Sequence, residues 1–341
     1  MRIATYNVEW FSNLFDEDGT PLADDAWSGR HDVKRHEQLT ALAIVFTALD
    51  ADAVMIIEAP DSHRRRDGVA ALEAFAAEFG LRTRTALMGF VNDTQQEIAL
   101  LYDPDVLTAE HDPKGDITGK RGSGDAPRFD GVFEIDLDID TQLDRVRWSK
   151  PPLELALETA TGTRFRMIGV HAKSKAPHGA RGKAAIMRAA IANRRKQLAQ
   201  CIWLRQRIDH HLAAGDPLIV LGDFNDGPGL DEYEKLFGRS GVEIVAGLNG
   251  EIPMYDPHAA AATSRHIGAL NATARFWMAD EERWMQVLLD YIMVSPDLRE
   301  KGPRWRIWHP FDDPGCYRVP ELREALLTAS DHFPVTLDIA L

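Results

Sequence analysis

The order of apolar segments predicts a single α/β domain. Apolar runs of strand length recur along the 341-residue chain, and between several of them apolar residues recur at the three- and four-residue spacing of a helix. The sequence contains neither an internal repeat nor a low-complexity tract nor a linker rich in Pro and Ser. We therefore expect one domain over residues 1–341 rather than two.

The predicted elements follow from this spacing. The run LIVL ends at a glycine and is typical of a buried strand, whereas Leu42, Phe46 and Leu49 recur on one helix face. Strands are predicted at residues 3–8, 53–57, 98–102, 131–139, 153–157, 165–170, 218–221, 289–294 and 335–339. Helices are predicted at residues 33–49, 68–79, 184–212 and 230–237. Irregular segments near residues 12–30, 103–128, 247–286 and 304–319 are interpreted as loop insertions, which at this length tend to be functional.

The charge balance restricts the partners that the protein can bind tightly. Asp and Glu number 53 against 39 Lys and Arg, which gives a formal net charge of −14. Sequence-independent DNA binders use a broad basic surface to displace counterions. The charge therefore argues against tightly held long duplex DNA, but it does not exclude a local basic groove.

Cysteine use and the N-terminal segment predict the cellular location of the protein. Cys201 and Cys316 are far apart in sequence, so we expect neither a disulfide framework nor a thiolate metal site, in keeping with a reducing cytoplasm. The segment MRIATYNVEW lacks the regions of a secretory signal, and no run reaches the roughly 18 apolar residues of a membrane span. We expect a soluble, cytoplasmic monomer without stable membrane insertion, provided that no leader precedes Met1.

Polar side chains stand where several predicted strands end. In layered α/β proteins such strand ends meet at one edge, so these side chains are expected to converge in one cleft. Carboxylates and amides without cysteine or a tight histidine cluster suit Mg²⁺ or Mn²⁺ rather than Zn²⁺. Because Mg²⁺ binds through one or two carboxylates plus substrate phosphate, the set indicates phosphoryl chemistry. The residues are Asn7, Glu58, His171, Asp223, Asn225, Asp290, Asp331 and His332.

Seven motifs, from Asn7 to His332, carry a family resemblance. In chain order they are TYNVEW, IIEAP, QQEIALLYDP, GVHAKSK, GDFND, LDYIMVS and SDHFPV. This ordered set resembles the endonuclease/exonuclease/phosphatase superfamily, which has the DNase I-like fold. The resemblance implies a four-layer sandwich (α/β, or α+β) of two packed mixed β-sheets flanked by helices, with the active site at one edge of the sheets.

The resemblance also implies roles for the matching residues. Glu58 would be the principal ligand of Mg²⁺ (or Mn²⁺), and Asn7 and Asp331 would contact the metal or its waters. Asp223 would orient or deprotonate the attacking water, and Asn225 would hold a phosphate oxygen. The last two residues lie two positions apart, so in extended backbone both side chains point to the same side.

Two histidine–carboxylate pairs are implied in the same way. His332 would bind the scissile phosphate while Asp290 accepts a hydrogen bond from its other nitrogen, and His171 would form a second pair with Glu97. A carboxylate within a few ångströms favours imidazolium at neutral pH, where free imidazole with a pKa of about 6.5 is mostly neutral. Positioned acid–base groups typically contribute roughly 10²- to 10⁴-fold in rate.

Neighbouring residues favour one branch of the superfamily. Abasic-site nucleases have a tyrosine followed by Pro-Asn at the position of His171, whereas histidine resembles the DNase I and neutral sphingomyelinase branches. Inositol polyphosphate phosphatases favour Tyr-Arg where this chain has Asp226 and Gly227. Many members have glutamine where this chain has Ile57, a difference that concerns a contact beyond the metal site rather than the metal site itself.

The remaining basic, histidine and tryptophan residues are interpreted as follows. Lys173 and Lys175 are near enough in sequence to His171 to touch phosphate, whereas the basic residues from Arg188 onward are interpreted as a solvated helix face. His210 and His211 are interpreted as surface residues. The tryptophans of the insertions could stack bases, line an apolar substrate pocket or pack an insertion onto its scaffold. They are Trp277, Trp284, Trp305 and Trp308.

The sequence therefore predicts a Mg²⁺-dependent phosphodiesterase or phosphomonoesterase that acts by in-line attack of an activated water. Its partner is a phosphoester substrate, and nuclease activity is favoured. One alternative is an enzyme for phospholipid head groups or small phosphoesters, and another is a phosphate-binding or scaffold protein without turnover.

Overall fold

A computed structural model describes residues 1–137, 143–176, 179, 181–227, 237–247, 252–264, 271–278 and 282–341. The helices in these ranges are α1 (Arg35–Leu49), α2 (Gly68–Glu78), α3 (Lys183–Ala214), α4 (Gly241–Ala246), α5 (Pro257–Ala262), α6 (Pro296–Arg299), α7 (Pro314–Tyr317) and α8 (Pro320–Ala329). The strands are β1 (Arg2–Asn7), β2 (Ala53–Ala59), β3 (Thr85–Met88), β4 (Glu97–Tyr102), β5 (Leu107–His111), β6 (Phe133–Ile135), β7 (Asp144–Val146), β8 (Leu153–Thr159), β9 (Arg164–His171), β10 (Leu218–Asp223), β11 (Ala274–Met278), β12 (Arg283–Val287), β13 (Asp290–Val294), β14 (Arg304–Ile307) and β15 (Val335–Asp338).

Two mixed β-sheets form the centre of the structure. The first has the order β14-β15-β1-β2-β4-β3, and the second has the order β13-β10-β9-β8-β5. In each sheet one central pair is parallel, β1 with β2 and β9 with β10, and the other described pairs are antiparallel. Two separate hairpins, β6–β7 and β11–β12, complete the described strands.

The alternation of side chains along β1 and β2 separates two layers of core. Ile3 and Met55 point to the interface between the sheets, where they join a cluster with residues of the second sheet. Ala4 and Val54 point to the other face, where α1, α2 and α8 pack. The sheets approach closely at Gly169, because a β carbon there would lie 2.4 Å from Met55 Sδ. With α3 covering the second sheet, the layers follow the order helix, sheet, sheet, helix.

This architecture confirms the expected α/β sandwich of two mixed sheets flanked by helices. The predicted strand at 131–139 is shorter, since β6 ends at Ile135 and part of the prediction lies outside the described residues. The predicted helix at 230–237 lies almost wholly outside them. The segments interpreted as irregular contain β5, α5, β11, β12, β14 and α7.

Candidate active site

The strand ends that carry predicted residues meet at one edge of the two sheets. Asn7, His171 and Asp223 are the last residues of β1, β9 and β10, and Asp290 is the first residue of β13. The register places Asp223 beside both His171 and Asp290. Asn7 Nδ2 donates a hydrogen bond of 3.1 Å to Asp223 Oδ2 and so joins the two sheets. The structure therefore brings these four residues together.

Glu58 reaches the same edge through an irregularity in β2. The register between β2 and β4 shifts between Ile57 and Ala59, so Glu58 stands outside the ladder. The Trp10 N–H donates to Glu58 Oε2 at 3.0 Å, and Oε1 lies 4.0 Å from His171 Nε2. Bulges of this kind re-aim a side chain and recur beside active sites.

Left-handed backbone is concentrated around the site. Glu9, Trp10, Glu58 and Asn225 have φ values of 52°, 60°, 62° and 49°. Each such non-glycine residue costs on the order of 1–3 kcal/mol and persists only where its surroundings hold it. Strain of this kind is typical of residues that must present groups to a ligand.

His332 and Asp290 form the expected pair, with 2.7 Å between Nδ1 and Oδ2. Burial lowers the pKa of His332, but the Asp290 carboxylate, together with those of Asp331 and Asp223, more than offsets this effect and holds the pKa well above its ordinary value. The ring is therefore an imidazolium at neutral pH. Its Nε2 lies 3.9 Å from Asp331 Oδ1, which places a fixed positive charge at the sheet edge.

Asp223 is buried, and Asn225 holds its carboxyl group. The Asn225 backbone N–H donates to Oδ1 at 2.7 Å, and Asn225 Nδ2 donates to Oδ2 at 3.1 Å. Burial raises the pKa of Asp223 to about 7, although the charge of His332 opposes this rise. Asn225 Nδ2 also donates to Ala172 O at 3.1 Å, so both amide hydrogens are used within the protein. The amide therefore orients Asp223, and the assignment of Asn225 to a phosphate oxygen stays a prediction.

Lys150 is a site residue that the sequence reasoning missed. Its Nζ lies 2.9 Å from His171 Nε2. Burial lowers the pKa of Lys150 to about 8, while the carboxylates of Glu58 and Asp223 oppose that shift. Burial, reinforced by the charge of Lys150, also lowers the pKa of His171 well below its ordinary value. His171 is therefore neutral and accepts a hydrogen bond from the ammonium group.

The position of Lys150 follows from the sheet register. β8 is antiparallel to β9, with Leu153 beside Gly169, so residues just before β8 lie beside the end of β9 at His171. Polar residues that directly follow apolar runs do not include Lys150, which precedes β8. A polar residue before an antiparallel neighbour of a catalytic strand is the signal that would have found Lys150.

The expected pair between Glu97 and His171 does not form. Glu97 begins β4 in the first sheet and is fully buried, where its carboxyl accepts hydrogen bonds from the backbone N–H and the side-chain amide of Asn92. Burial raises the pKa of Glu97 to about 7. Among the described residues, His171 Nδ1 has no hydrogen-bond partner. Asn92 therefore binds the Glu97 carboxyl group that His171 was expected to bind.

The two predicted phosphate-binding lysines differ in their surroundings. Lys175 Nζ forms an ion pair with the buried carboxylate of Asp226, and Arg194 Nη1 lies 3.7 Å from the same carboxylate. Lys175 therefore anchors the loop after β10, and its assignment to the substrate stays a prediction. The backbone N–H of Lys173 donates to Gln200 Oε1 at 2.9 Å, a contact that does not involve the lysine side chain. The side chain of Lys173 stays a candidate for phosphate binding.

Two residues interpreted as solvated are in fact buried. Arg194 lies on α3 and is buried against Asp226, so this part of the helix is not a solvated face. The ring of His211 lies between two carboxylates, with 2.8 Å from Nε2 to Glu154 Oε1 and 2.7 Å from Nδ1 to Asp216 Oδ2. This corrects the surface interpretation of His211.

The oxygen donors at the edge fit a metal that binds few protein ligands. Glu58 presents a carboxylate there, and Asp331 Oδ1 is buried without a hydrogen-bond partner among the described residues. Asp331 N–H donates to Glu9 Oε2 at 3.0 Å, and Ser330 Oγ donates to Asn7 O at 2.7 Å, so Asp331 and Asn7 are held near each other. Within the described ranges, no group of three or more His, Cys, Asp or Glu side chains could hold a metal. Carboxylate and amide oxygens are the donor type that Mg²⁺ prefers, so Glu58, Asp331 and Asn7 fit the expected ion.

The family follows from a match over nearly the whole chain. The model of the Endonuclease/Exonuclease/phosphatase family matches residues 4–332. The chain belongs to this family. This confirms the family resemblance seen in the motifs, and the names of the family's activities all describe the hydrolysis of phosphoester bonds.

Solved structures show the same fold for this endonuclease/exonuclease/phosphatase family member. The 3′ phosphatase NExo from Neisseria, bound to a product DNA hairpin, is 14% identical with a TM-score of 0.50, and the alignment covers 100% of both chains. The endonuclease/exonuclease/phosphatase from Bacteroides vulgatus is 15% identical with a TM-score of 0.50, and the alignment covers 99% of this chain and 98% of that one. No curated protein matches the sequence. None of the described helices has the length and apolar character that crossing a bilayer requires.

Proposed function

We propose that the protein is a Mg²⁺-dependent phosphoesterase that hydrolyses phosphodiester bonds of nucleic acid by in-line attack of water. The observation that carries the proposal is the position of Asp223 between two cationic side chains. The His332 imidazolium, held by Asp290, acts on Asp223 from one side, and the Lys150 ammonium acts on it from the other. A base flanked by two cations is suited to an anionic substrate that is attacked by water.

Glu58, Asn7 and Asp331 would hold the metal in this proposal. Asn7 and Asp331 are held near each other. The Glu9 N–H donates to Asn7 Oδ1 while Glu9 Oε2 accepts the Asp331 N–H, and Ser330 Oγ donates to Asn7 O. When bound, Mg²⁺ supplies positive charge for the phosphate oxygens and lowers the pKa of a coordinated water. Mn²⁺ has the same preference for oxygen donors and would be accepted as well.

Asp223 is the base of the proposed reaction. Its raised pKa of about 7 makes the carboxylate a competent proton acceptor near neutral pH. Asn225 and Asn7 both donate to Oδ2, which fixes the direction of the lone pairs of the carboxylate. The base is therefore oriented before substrate binds.

The two cations bind the phosphate in the proposed complex. The His332 imidazolium can donate from Nε2 while Nδ1 stays bonded to Asp290. Lys150 has three N–H groups and uses one of them on His171, so two remain for phosphate oxygens. Fixed donors of this kind, aimed at charge that develops in the transition state, typically contribute about 10²- to 10³-fold each.

The preference for nucleic acid draws on the fold and on the chemistry of the site. NExo, which shares the fold, is a 3′ phosphatase whose structure holds a product DNA hairpin. The acidic composition favours short or single-stranded substrates over long duplex DNA. Lipid head groups and sugar phosphates are the competing substrates that an experiment must separate.

Hydrolysis of a substrate panel tests the proposal. The panel comprises single-stranded DNA, duplex DNA, RNA, sphingomyelin and a sugar phosphate, each with Mg²⁺, Mn²⁺ or EDTA. We expect metal-dependent cleavage of single-stranded nucleic acid, its loss in His332→Ala, and full activity in His210→Ala, whose ring is half-exposed and lies beside Asp125. Turnover of sphingomyelin or the sugar phosphate alone would reject the nuclease assignment, and turnover that survives in His332→Ala would reject the site.

A further inference from the structure

The four tryptophans of the insertions have two different environments. Trp305 and Trp308 pack inward, where their indole N–H groups donate to Ile292 O at 2.7 Å and to Thr336 Oγ1 at 3.0 Å. Trp277 and Trp284 are instead 46% and 51% exposed. Tryptophans that pack an insertion onto its scaffold are buried, so this second pair requires another explanation.

The two exposed tryptophans lie on the outer face of the hairpin β11–β12. They are directly opposite each other in the register, and their ring centroids are 5.6 Å apart in an edge-to-face arrangement. The inner face carries Phe276 and Met285, which pack on a small core of Ala274, Val287 and Leu289. The hairpin is thus anchored by its inner face, and its outer face presents two indole rings to solvent.

A positive charge lies on the same outer face. Arg275 has its guanidinium carbon 4.0 Å from the ring centre of Trp284 and 5.8 Å from that of the exposed Phe311. None of the carboxylates in the described part of the chain forms an ion pair with Arg275. Its charge is therefore available to an external anion, although the chain as a whole is strongly acidic.

The hairpin is continuous with the candidate active site. Arg275 N–H donates to Asp331 O at 2.7 Å, and Ala274 forms a bridge with His332. Thr273, just before β11, accepts the backbone N–H of Asp290 on its Oγ1 at 2.9 Å. A ligand on the outer face would thus lie beside the residues that act on phosphorus.

We propose that the outer face of β11–β12, formed by Arg275, Trp277 and Trp284, binds unpaired nucleobases that flank the scissile phosphate of a single-stranded nucleic acid. The indole rings stack on bases, and the guanidinium binds a backbone phosphate beside them. This inference rests on the proposed function, and it adds that the substrate is recognised through its bases as well as its backbone.

The arrangement of the face favours a nucleic acid over a lipid surface. A surface that enters a bilayer presents apolar side chains together, whereas here a guanidinium covers one of the two rings. Alternation of flat aromatic rings with a cation is the pattern that single-stranded nucleic acid requires, because each nucleotide offers a base and a phosphate.

The test uses the full chain and one short single-stranded DNA of defined sequence. The variants are the double substitution Trp277→Ala with Trp284→Ala, the same pair changed to Phe, and Trp27→Ala as a control for an exposed tryptophan elsewhere. The second substrate is the same oligonucleotide with abasic residues around the cleaved bond. Melting temperatures establish that each variant is folded.

We expect the alanine pair to raise KM for the intact oligonucleotide by about tenfold or more, with kcat unchanged, because stacking contributes to binding and not to the reaction at phosphorus. The phenylalanine pair should restore most of the affinity, and Trp27→Ala should behave as wild type. KM for the abasic oligonucleotide should be as high for wild type as for the alanine pair.

An unchanged KM for the alanine pair on the intact strand would overturn the inference while leaving the proposed function in place. If the alanine pair loses binding to phosphatidylcholine or phosphatidylserine vesicles while KM is unchanged, the inference is overturned in favour of a lipid surface. If it loses self-association while KM is unchanged, the inference is overturned in favour of a second copy of the chain. Failure of the wild-type protein to cleave any nucleic acid is a different result, which removes the proposed function itself and the inference with it.

Discussion

Lys150 Nζ lies 2.9 Å from His171 Nε2, and this contact determines the charges on one side of the site. The ammonium group and burial together keep His171 neutral, so the ring accepts a hydrogen bond where a second imidazolium was expected. The positive charge on this side of Asp223 belongs to Lys150. The site thus holds one imidazolium, His332, and one ammonium, Lys150, instead of two charged histidines.

Replacing Lys150 tests its role at the phosphate. Lys150→Met keeps the length of the side chain and removes the charge, so we expect kcat to fall by about 10²- to 10³-fold. Without the neighbouring charge, the pKa of His171 should rise, and NMR titration of its ring protons measures this change. The control is Lys150→Arg, which keeps a cation and should retain more activity. Wild-type kcat in Lys150→Met would show that the lysine serves only to position His171.

The pair of His332 and Asp290 predicts a specific pH dependence. The pKa of His332 is raised in the folded state, so the pair stabilises the fold fully below the unfolded value of about 6.5, and this stability is lost as pH rises through the higher folded value. Asp290→Asn removes the strongest opposition to burial and leaves the weaker effects of Asp331 and Asp223, so it should lower the pKa of His332. Activity of this variant should decline as pH increases from 6 to 8 by about tenfold per unit once the ring is neutral, whereas that of wild type should not. Parallel pH–rate profiles for the two proteins would contradict this account.

The raised pKa of Asp223 predicts that metal binding releases a proton from this carboxyl group. Its pKa of about 7 in the metal-free protein means that about half of the molecules carry a proton there at pH 7. A divalent cation nearby favours the carboxylate, so Mg²⁺ should displace this proton and bind more tightly as pH rises through 7. Calorimetry in two buffers of different ionisation enthalpy measures the release, and Asp223→Asn should abolish it. The same apparent binding enthalpy in both buffers for wild type would exclude a protonated Asp223.

The ion pair of Lys175 and Asp226 predicts a loss of stability and not of substrate affinity. Lys175→Met leaves the buried Asp226 carboxylate with the more distant Arg194 as its remaining cationic partner, so it should lower the free energy of unfolding by less than the roughly 3–5 kcal/mol expected for a fully unpaired charge. Urea unfolding measures this change, and Lys34→Met, which breaks the exposed pair with Asp25, should leave the midpoint close to that of wild type. If Lys175 instead binds phosphate, the variant should raise KM and unfold at the wild-type midpoint.

The sequence predicted the strands that carry the site better than the contacts between them. Asn7, Asp223 and Asp290 follow from apolar runs that stop at polar residues, and the structure brings them together. The partner of Glu97 depends on a loop contact with Asn92, and the role of Lys150 depends on sheet register. Neither contact can be read from the spacing of residues along one strand.

The hairpin β11–β12 escaped prediction for a different reason. Its inner face is apolar, but its outer face carries Trp277 and Trp284 where a solvent-exposed strand normally carries polar residues. The two tryptophans make part of the outer face apolar as well, so the alternation that marks a half-buried strand is weakened. If the outer face binds bases, the feature that obscured the strand is the one required for function.

The most direct test of the central claim is a Mg²⁺ titration of single-stranded DNA cleavage by wild type and by Glu58→Gln, with EDTA as the metal-free reference. Glutamine keeps the size of the side chain and the acceptor for Trp10 N–H but removes the negative charge. We predict cleavage by wild type that EDTA abolishes, and for the variant a loss of about 100-fold or more together with a requirement for higher Mg²⁺. Equal activity of the two proteins at every Mg²⁺ concentration would contradict the assignment of the metal site and, with it, the proposed mechanism.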